Sequence, residues 1–347
     1  MSALLPNFIH TLDAKITGIS TDNYSRLSKN LWWDKVAVRR NSESRMERIN
    51  WLLSTAMIER PNASHGGGQA IFEDIVGLYT EFENENATAG LTLKKETILD
   101  TYNGIPGGEA MNIAAKWASD VGKVAAYWPQ KCIAEAIRAN PVTYDGKPFF
   151  ATNHDQNPFD AAAGTYANDF TGSPSGIYPG AVPIDGPDLA AAQDNLAKAV
   201  AYVTSIKQPN GQLPRNLAVR GILVPPALYT RAVQLTSAFF LSGASSGPND
   251  TKDLIAALGL GAPILAPELG SNYEGGSDDT YYLVAEEITG DELGAFAYVD
   301  REPFNMITHD GVSDAELARK REFQWILEGR NTVAPGHPYL LFRCQAD

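Results

Sequence analysis

Between residues 108 and 140 apolar side chains recur at every third or fourth position: Met111, Ala114, Ala118, Val121, Ala125, Trp128, Cys132 and Ala136. That spacing keeps one helix face apolar and predicts a single helix on the order of 45 Å long, at ~1.5 Å per residue. Many stripe positions are alanine, which lets a sheet or another helix approach closely. Pro129 removes one backbone donor and is expected to kink the helix. Asn140-Pro141 ends it. A second stripe, Leu189, Ala192, Leu196, Ala199, Val203 and Ile206, predicts a helix over Pro187–Ile206, with Asp185 or Asp188 suited to its N-terminus. Leu217–Val224, Ile264–Leu265 and Thr280–Glu286 read as strands. Ala227–Phe240 and Asp253–Leu258 read as helices, with a loop at Ser242–Asp250. The mixture predicts an α/β second domain. Strand-like runs follow at Ala295–Val299, Asn305–Thr308, Glu322–Leu327 and Tyr339–Phe342.

The segment up to about Thr55 is polar and punctuated. Its one amphipathic stretch is Tyr24–Val38, with Tyr24, Leu27, Leu31 and Val38 on one side. Trp32 and Trp33 lie within it and point in different directions on a helix. At least one packs outside the segment, on the rest of the chain or on a neighbouring subunit. Next come two runs rich in β-branched and aromatic residues, Ile71–Phe82 and Leu91–Leu99, separated by the turn-like cluster Asn84–Gly90. They predict a long charged hairpin, with Glu81 and Glu83 on one side and Lys94 and Lys95 on the other. A lone hairpin is marginal in water, so it either packs on the rest of the chain or finds a partner. Residues 141–186 are turn-rich and read as a long surface connection.

The chain has 347 residues, which suggests about two domains. Its 30 glycines and 21 prolines stay well below the roughly 25–30% of low-complexity chains. Two cysteines, Cys132 and Cys344, exclude a disulfide scaffold and leave no CxxC zinc spacing. No apolar run reaches the ~18 residues of a membrane helix, and the N-terminus lacks the basic and apolar regions of a signal peptide. A reducing cytosol is the expected site of synthesis. The net charge of −13 argues against a protein whose main task is to grip phosphates.

Candidate chemistry is sparse. Gly243-Ala244-Ser245-Ser246-Gly247 matches a nucleophile-elbow string but follows a helix and precedes Pro248, the wrong context. His154-Asp155 are neighbours that point apart on a strand, and His154 reads better as a loop hydrogen-bonding residue than as an acid/base group. The five histidines show no metal-ligand spacing. Gly66-Gly67-Gly68 lacks the Lys-Ser/Thr of a phosphate loop, and Gly259-Leu260-Gly261 lacks a third glycine. No catalytic residue, cofactor or metal is expected.

Several strings, in order, resemble the Mu-like tailed-phage major head (capsid) subunit family. They are Trp33-Asp34-Lys35-Val36-Ala37, Ser44–Arg60 with Trp51-Leu52, and Leu93-Lys94-Lys95-Glu96-Thr97-Ile98-Leu99-Asp100. The most telling is Tyr144-Asp145-Gly146-Lys147-Pro148-Phe149-Phe150 followed by His154, although Asn153-His154-Asp155-Gln156 departs from the Asp-His-Pro ending expected there. Val224-Pro225-Pro226-Ala227-Leu228, Ala266-Pro267-Glu268-Leu269 and Tyr298–Pro303 through Trp325, Gly329 and Arg330 continue the likeness.

The resemblance implies an α+β protein with the HK97-type capsid fold. The implied parts are an N-terminal arm (1–55), an extended hairpin loop (56–101), and a peripheral domain with its spine helix at 108–140 (102–186). An inserted axial domain (187–290) and a return to the peripheral domain (291–347) complete it. It implies pentamers and hexamers closing into an icosahedral head around double-stranded DNA, in a virion made in a bacterial cytoplasm. Scaffold, maturation protease, portal and decoration proteins are implied partners, and no membrane is. The hairpin would lie on an adjacent subunit. Subunit contacts are expected from Trp32, Trp33, Glu81, Glu83, Lys94, Lys95, Arg301, Glu302, Arg319, Lys320, Arg321 and Glu322. Against each stands the reading of an ordinary exposed charge or a packed tryptophan. Competing readings are an encapsulin-like compartment shell of the same fold, a serine hydrolase using Ser245 or His154, and an attachment protein.

Overall fold

The computed structural model describes residues 4–53, 76–98, 109–186, 188–211, 213–237, 260–288, 294–309 and 319–345. The expected loop at 242–250, the short helix at 253–258 and Ser245 lie outside them. Two sheets dominate. The first has strand order β1-β11-β12-β4, from β1 (Ala37–Asn41), β11 (Phe296–His309), β12 (Glu322–Pro335) and β4 (Glu85–Lys94). The second has order β7-β13-β10-β8-β9, from β7 (Asp169–Phe170), β13 (Leu341–Gln345), β10 (Thr280–Glu287), β8 (Leu217–Val224) and β9 (Ile264–Leu265). The final strand therefore leaves the first sheet and completes the second, so residues 291–347 divide between the two.

The spine helix α2 (Glu109–Ala139) runs unbroken through Pro129. Its small residues serve the close approach that their spacing predicts. Helix α1 (Leu4–Leu27) crosses it so tightly that a Cβ on Gly122 would sit 2.4 Å from the Ser20 carbonyl oxygen. The N-terminal helix thus lies earlier than the expected 24–38. Its stripe is one residue wide, Leu12, Ile16 and Ser20, and packing on α2 rather than intrinsic amphipathicity holds it.

Helices α3 (Leu189–Ser205) and α4 (Pro226–Ser237) pack against β8 of the second sheet. The Asp188 side chain caps α3 by accepting from the Ala190 N–H at 2.9 Å, satisfying one of the orphan donors of its first turn. The tail runs expected at 295–299 and 305–308 form one strand, β11, with register shifts between Asp300 and Asn305.

Two expectations need correction. The hairpin is not built from 71–82 and 91–99. β2 (Met46–Leu53) pairs with β3 (Val76–Glu83), while β4 joins β12. The turn-like cluster 84–90 is mostly strand, because its small and polar residues suit an exposed sheet edge and ten register pairs with β12 override their turn preference. Nor is 141–186 a surface connection. It is poor in regular structure, with only two-residue strands such as β5 (His154–Asp155) and β6 (Thr165–Tyr166), yet Phe149, His154, Asn168, Phe170 and Ile184 are fully buried. Aromatic anchors, not regular elements, hold it inside.

Candidate assembly site

In β11 alternate residues face opposite ways. Phe296 and Tyr298 join the main core, whereas Ala297 and Val299, with Ala334 of β12, pack under Ile49, Leu78 and Phe82 of the β2–β3 ribbon. The base of the ribbon thus has a partner inside its own chain. Its surface carries a charge ladder: Arg45 to Glu83 and Arg48 to Glu81, each at 2.6 Å, with the Arg48 guanidinium 4.8 Å above the Tyr79 ring. All four charged side chains are exposed, so each pair adds little stability.

The ribbon departs at a row that crosses the whole first sheet: Asn41, Asp300, Asn331 and Glu85 are register partners on β1, β11, β12 and β4. The row is polar and its middle is buried. Asp300 takes an ion pair from Arg39. Asn331 accepts from the Trp128 indole at 2.8 Å, which ties the spine helix to the same row. Beside it, Asn84 is the single residue between β3 and β4 and is buried.

The remaining candidate residues fall into separate groups. Lys94 and Glu322 are register partners, and the Lys95 N–H donates to the Arg321 carbonyl at 2.8 Å. With exposed Arg319 and Lys320 they form one charged end of the sheet, where Arg321 also lies 3.4 Å from Glu96. Arg301 and Glu302 sit apart, at the register shift of β11, 3.9 Å from each other. Trp32 is turned inward: its backbone N–H donates to Gln130 at 3.0 Å and its indole to Glu268 at 3.2 Å. Trp33 packs on Tyr298 with ring centroids 5.7 Å apart.

The Tyr-Asp-Gly segment makes a seam between the sheets. A turn closes where the Thr143 N–H donates to the Lys147 carbonyl at 2.8 Å, with Gly146 left-handed at φ 73°. Phe149 stacks on Phe296 of the first sheet at 4.5 Å, and Phe150 tilts against Tyr282 of the second at 5.5 Å. His154 Nδ1 lies 2.6 Å from the Asp145 carboxylate, both side chains wholly buried, and Nε2 lies 3.0 Å from the Phe149 carbonyl oxygen. Burial alone would raise the Asp145 carboxyl, but the His154 hydrogen bond and charge, with donors from Thr143 and Lys147, hold it below the usual range. This histidine pins a loop and has no path to a substrate, which removes the hydrolase reading built on it.

Burial pushes the Cys132 thiol up to about 12 and raises that of Cys344 as well. Both cysteines are free. Among the described residues no group of three or more His, Cys, Asp or Glu could hold a metal, and no helix is long and apolar enough to cross a membrane. The polar row carries no local sequence signal, whereas Asp145 lies in the Tyr-Asp-Gly string that His154 follows. Strand register brings the members of the row together, and Asp145 meets His154 across a separation of nine positions.

The architecture is found in solved phage shells. The chain superimposes on the mature capsid of bacteriophage PhiM1 with a TM-score of 0.53 at 10% identity, covering 91% of this chain and 87% of that one. For the capsid of cyanophage P-SCSP1u the score is 0.53 at 12% identity, covering 91% and 88%. For the procapsid of bacteriophage JBD30 it is 0.50 at 13%, covering 99% and 76%. The chain spans 63% of the length of the subunit in the JBD30 capsid. No curated protein matches the sequence. The family profile described as Mu-like prophage major head subunit gpT matches residues 21–178. The profile described as phage capsid protein matches residues 130–325, more than half of the sequence, and the chain belongs to that family.

Proposed function

We propose that copies of this chain close, through pentamers and hexamers, into the icosahedral head of a tailed double-stranded DNA phage or prophage. The observation that carries the reading is the capsid-family match over residues 130–325, which takes in the end of the spine helix, the seam, most of the second sheet and β11 of the first. The work is structural, not enzymatic. Shells of this kind are held by many modest interfaces whose geometry symmetry repeats. The first sheet, the spine helix and α1 correspond to a peripheral domain. The second sheet, with β13 included, corresponds to an axial one. The charges of the ribbon ladder, of 94–96 with 319–322, and of Glu302, most of them exposed, are the contacts offered to neighbours. Scaffold, maturation protease, portal and decoration proteins are further partners in this reading, and synthesis in a bacterial cytoplasm goes with it.

The net charge of −13 suits a container that must pack DNA densely without holding it. Basic residues are accordingly expected at subunit seams rather than on the inner wall. Negative-stain microscopy of the expressed chain, alone and with its scaffold partner, tests the proposal. Closed shells are expected. A small monomer under all assembly conditions overturns it.

A further inference from the structure

The polar row and Asn84 raise a question that the shell reading leaves open: what fixes the ribbon on its own subunit. β1 and β4 are opposite edges of the first sheet, yet the two chain crossings into the ribbon meet. Residues 42–45 leave β1 and reach Asn84, whose backbone N–H donates to the Arg45 carbonyl at 3.1 Å. The Asn84 side-chain amide donates to the Ser42 hydroxyl oxygen at 3.0 Å and to the Ser44 carbonyl at 2.9 Å. Ser42 is buried too. Its hydroxyl is 2.8 Å from Glu47, and its N–H donates to the Asp300 carbonyl at 3.1 Å. Arg330 approaches the Asn84 carbonyl at 3.4 Å.

Beneath this joint, the described apolar contact between ribbon and sheet is made by three ribbon side chains. Among the described ribbon side chains, Ile49 is buried against the sheet, and Leu78 and Phe82 are half-buried. Elements held by few apolar contacts open locally at lower cost than the core does. A polar pin directs that opening, because hydrogen bonds are directional and apolar contacts are not.

We propose that the Asn84–Ser42 clasp is the pin that locks the β2–β3 ribbon down on its own sheet, and that its release lets the ribbon swing as a unit while both sheets stay folded. Asn84 is a positioning residue that sets where the ribbon lies. The proposal deepens the shell reading, since a ribbon so released could engage a second copy of this chain. Its test does not depend on assembly.

Hydrogen–deuterium exchange of the full-length subunit, followed by mass spectrometry, reads the ribbon (46–53 and 76–83) against β8 and β10. Asn84→Ala is expected to speed ribbon exchange on the order of tenfold, the scale of one or two lost hydrogen bonds. Exchange in β8 and β10 should not move. Asn84→Asp keeps the shape, removes both amide donors and should act in the same direction. Ser42→Ala should give a smaller change of the same kind. Unchanged ribbon exchange in Asn84→Ala overturns the proposal. So does a rise in which both sheets exchange together, or loss of the whole fold in both Asn84 variants, since either makes Asn84 part of the global core. Whether these variants still form shells is scored separately by microscopy, and failure there alone bears on the shell reading.

Discussion

The two sheets of this subunit solve different problems. The second is built like an ordinary core. β8 ends in four consecutive buried residues, Gly221–Val224, and β10 carries five, Tyr281–Ala285. The first is built for use. Three of its four strands run ten residues or more, β4 alternates exposed with more buried positions, and a polar row crosses the sheet from edge to edge. Apolar burial gives stability without direction. Polar rows and exposed charge give direction at little gain in stability. The difference teaches that assembly features are to be sought where the core is interrupted.

The seam offers the most severe way to break this comparison. Phe149→Ala should cost about 3–5 kcal/mol, because a fully buried ring that joins both sheets leaves a cavity. Denaturant unfolding should lose stability for both sheets in one transition. Separate transitions would make the sheets independent. Gly122→Ala should cost about 1–3 kcal/mol by overpacking, since the new methyl meets the Ser20 backbone. Thermal melting reads that loss, and exchange should rise along α1 more than in the second sheet.

Acid sharpens the comparison next. The Asp145 carboxyl titrates below its unfolded value in the folded chain. Its contribution to stability is therefore fully present above the ordinary carboxylate value, about 3.9, and is lost as the pH falls through the folded value. Melting temperature against pH should show an acid limb that flattens in Asp145→Asn. The smallest effect belongs to the ladder. Glu81→Gln should change stability by less than about 1 kcal/mol, and the change should fade with added salt, because the Arg48–Glu81 pair is exposed at 61% and 41%. A larger effect would mean that the ribbon is stabilised by its charges rather than by Ile49 and the clasp.

The legibility of the sequence follows the same division. The spine helix, α3, β8 and β10 are readable almost to the residue, because their burial is largely continuous or helical and leaves a trace in the sequence. The Mu-like strings point to the family and lie where the fold has its seam. The ribbon is misread because pairing is a non-local choice. Nothing in Val76–Glu83 says that its partner is Met46–Leu53 rather than Leu91–Leu99, and turn chemistry around Asn84–Gly90 argues for the wrong answer. Asn84, Ser42, Asp300 and Asn331 are silent in the sequence for a simpler reason. A buried polar residue looks like a surface residue until its neighbours are known.

The placement of the ribbon between two edge strands also has a mechanical meaning. A pull on it reaches the body at the end of β1 on one side and of β4 on the other. β1 is held by five register pairs to β11, and β4 by ten to β12. The two anchorages are unequal, so β1 would yield first under load while β4 kept its grip. In a shell strained by what it encloses, that asymmetry would act as a fuse: slack would be released at one edge of the sheet without cutting the tether at the other.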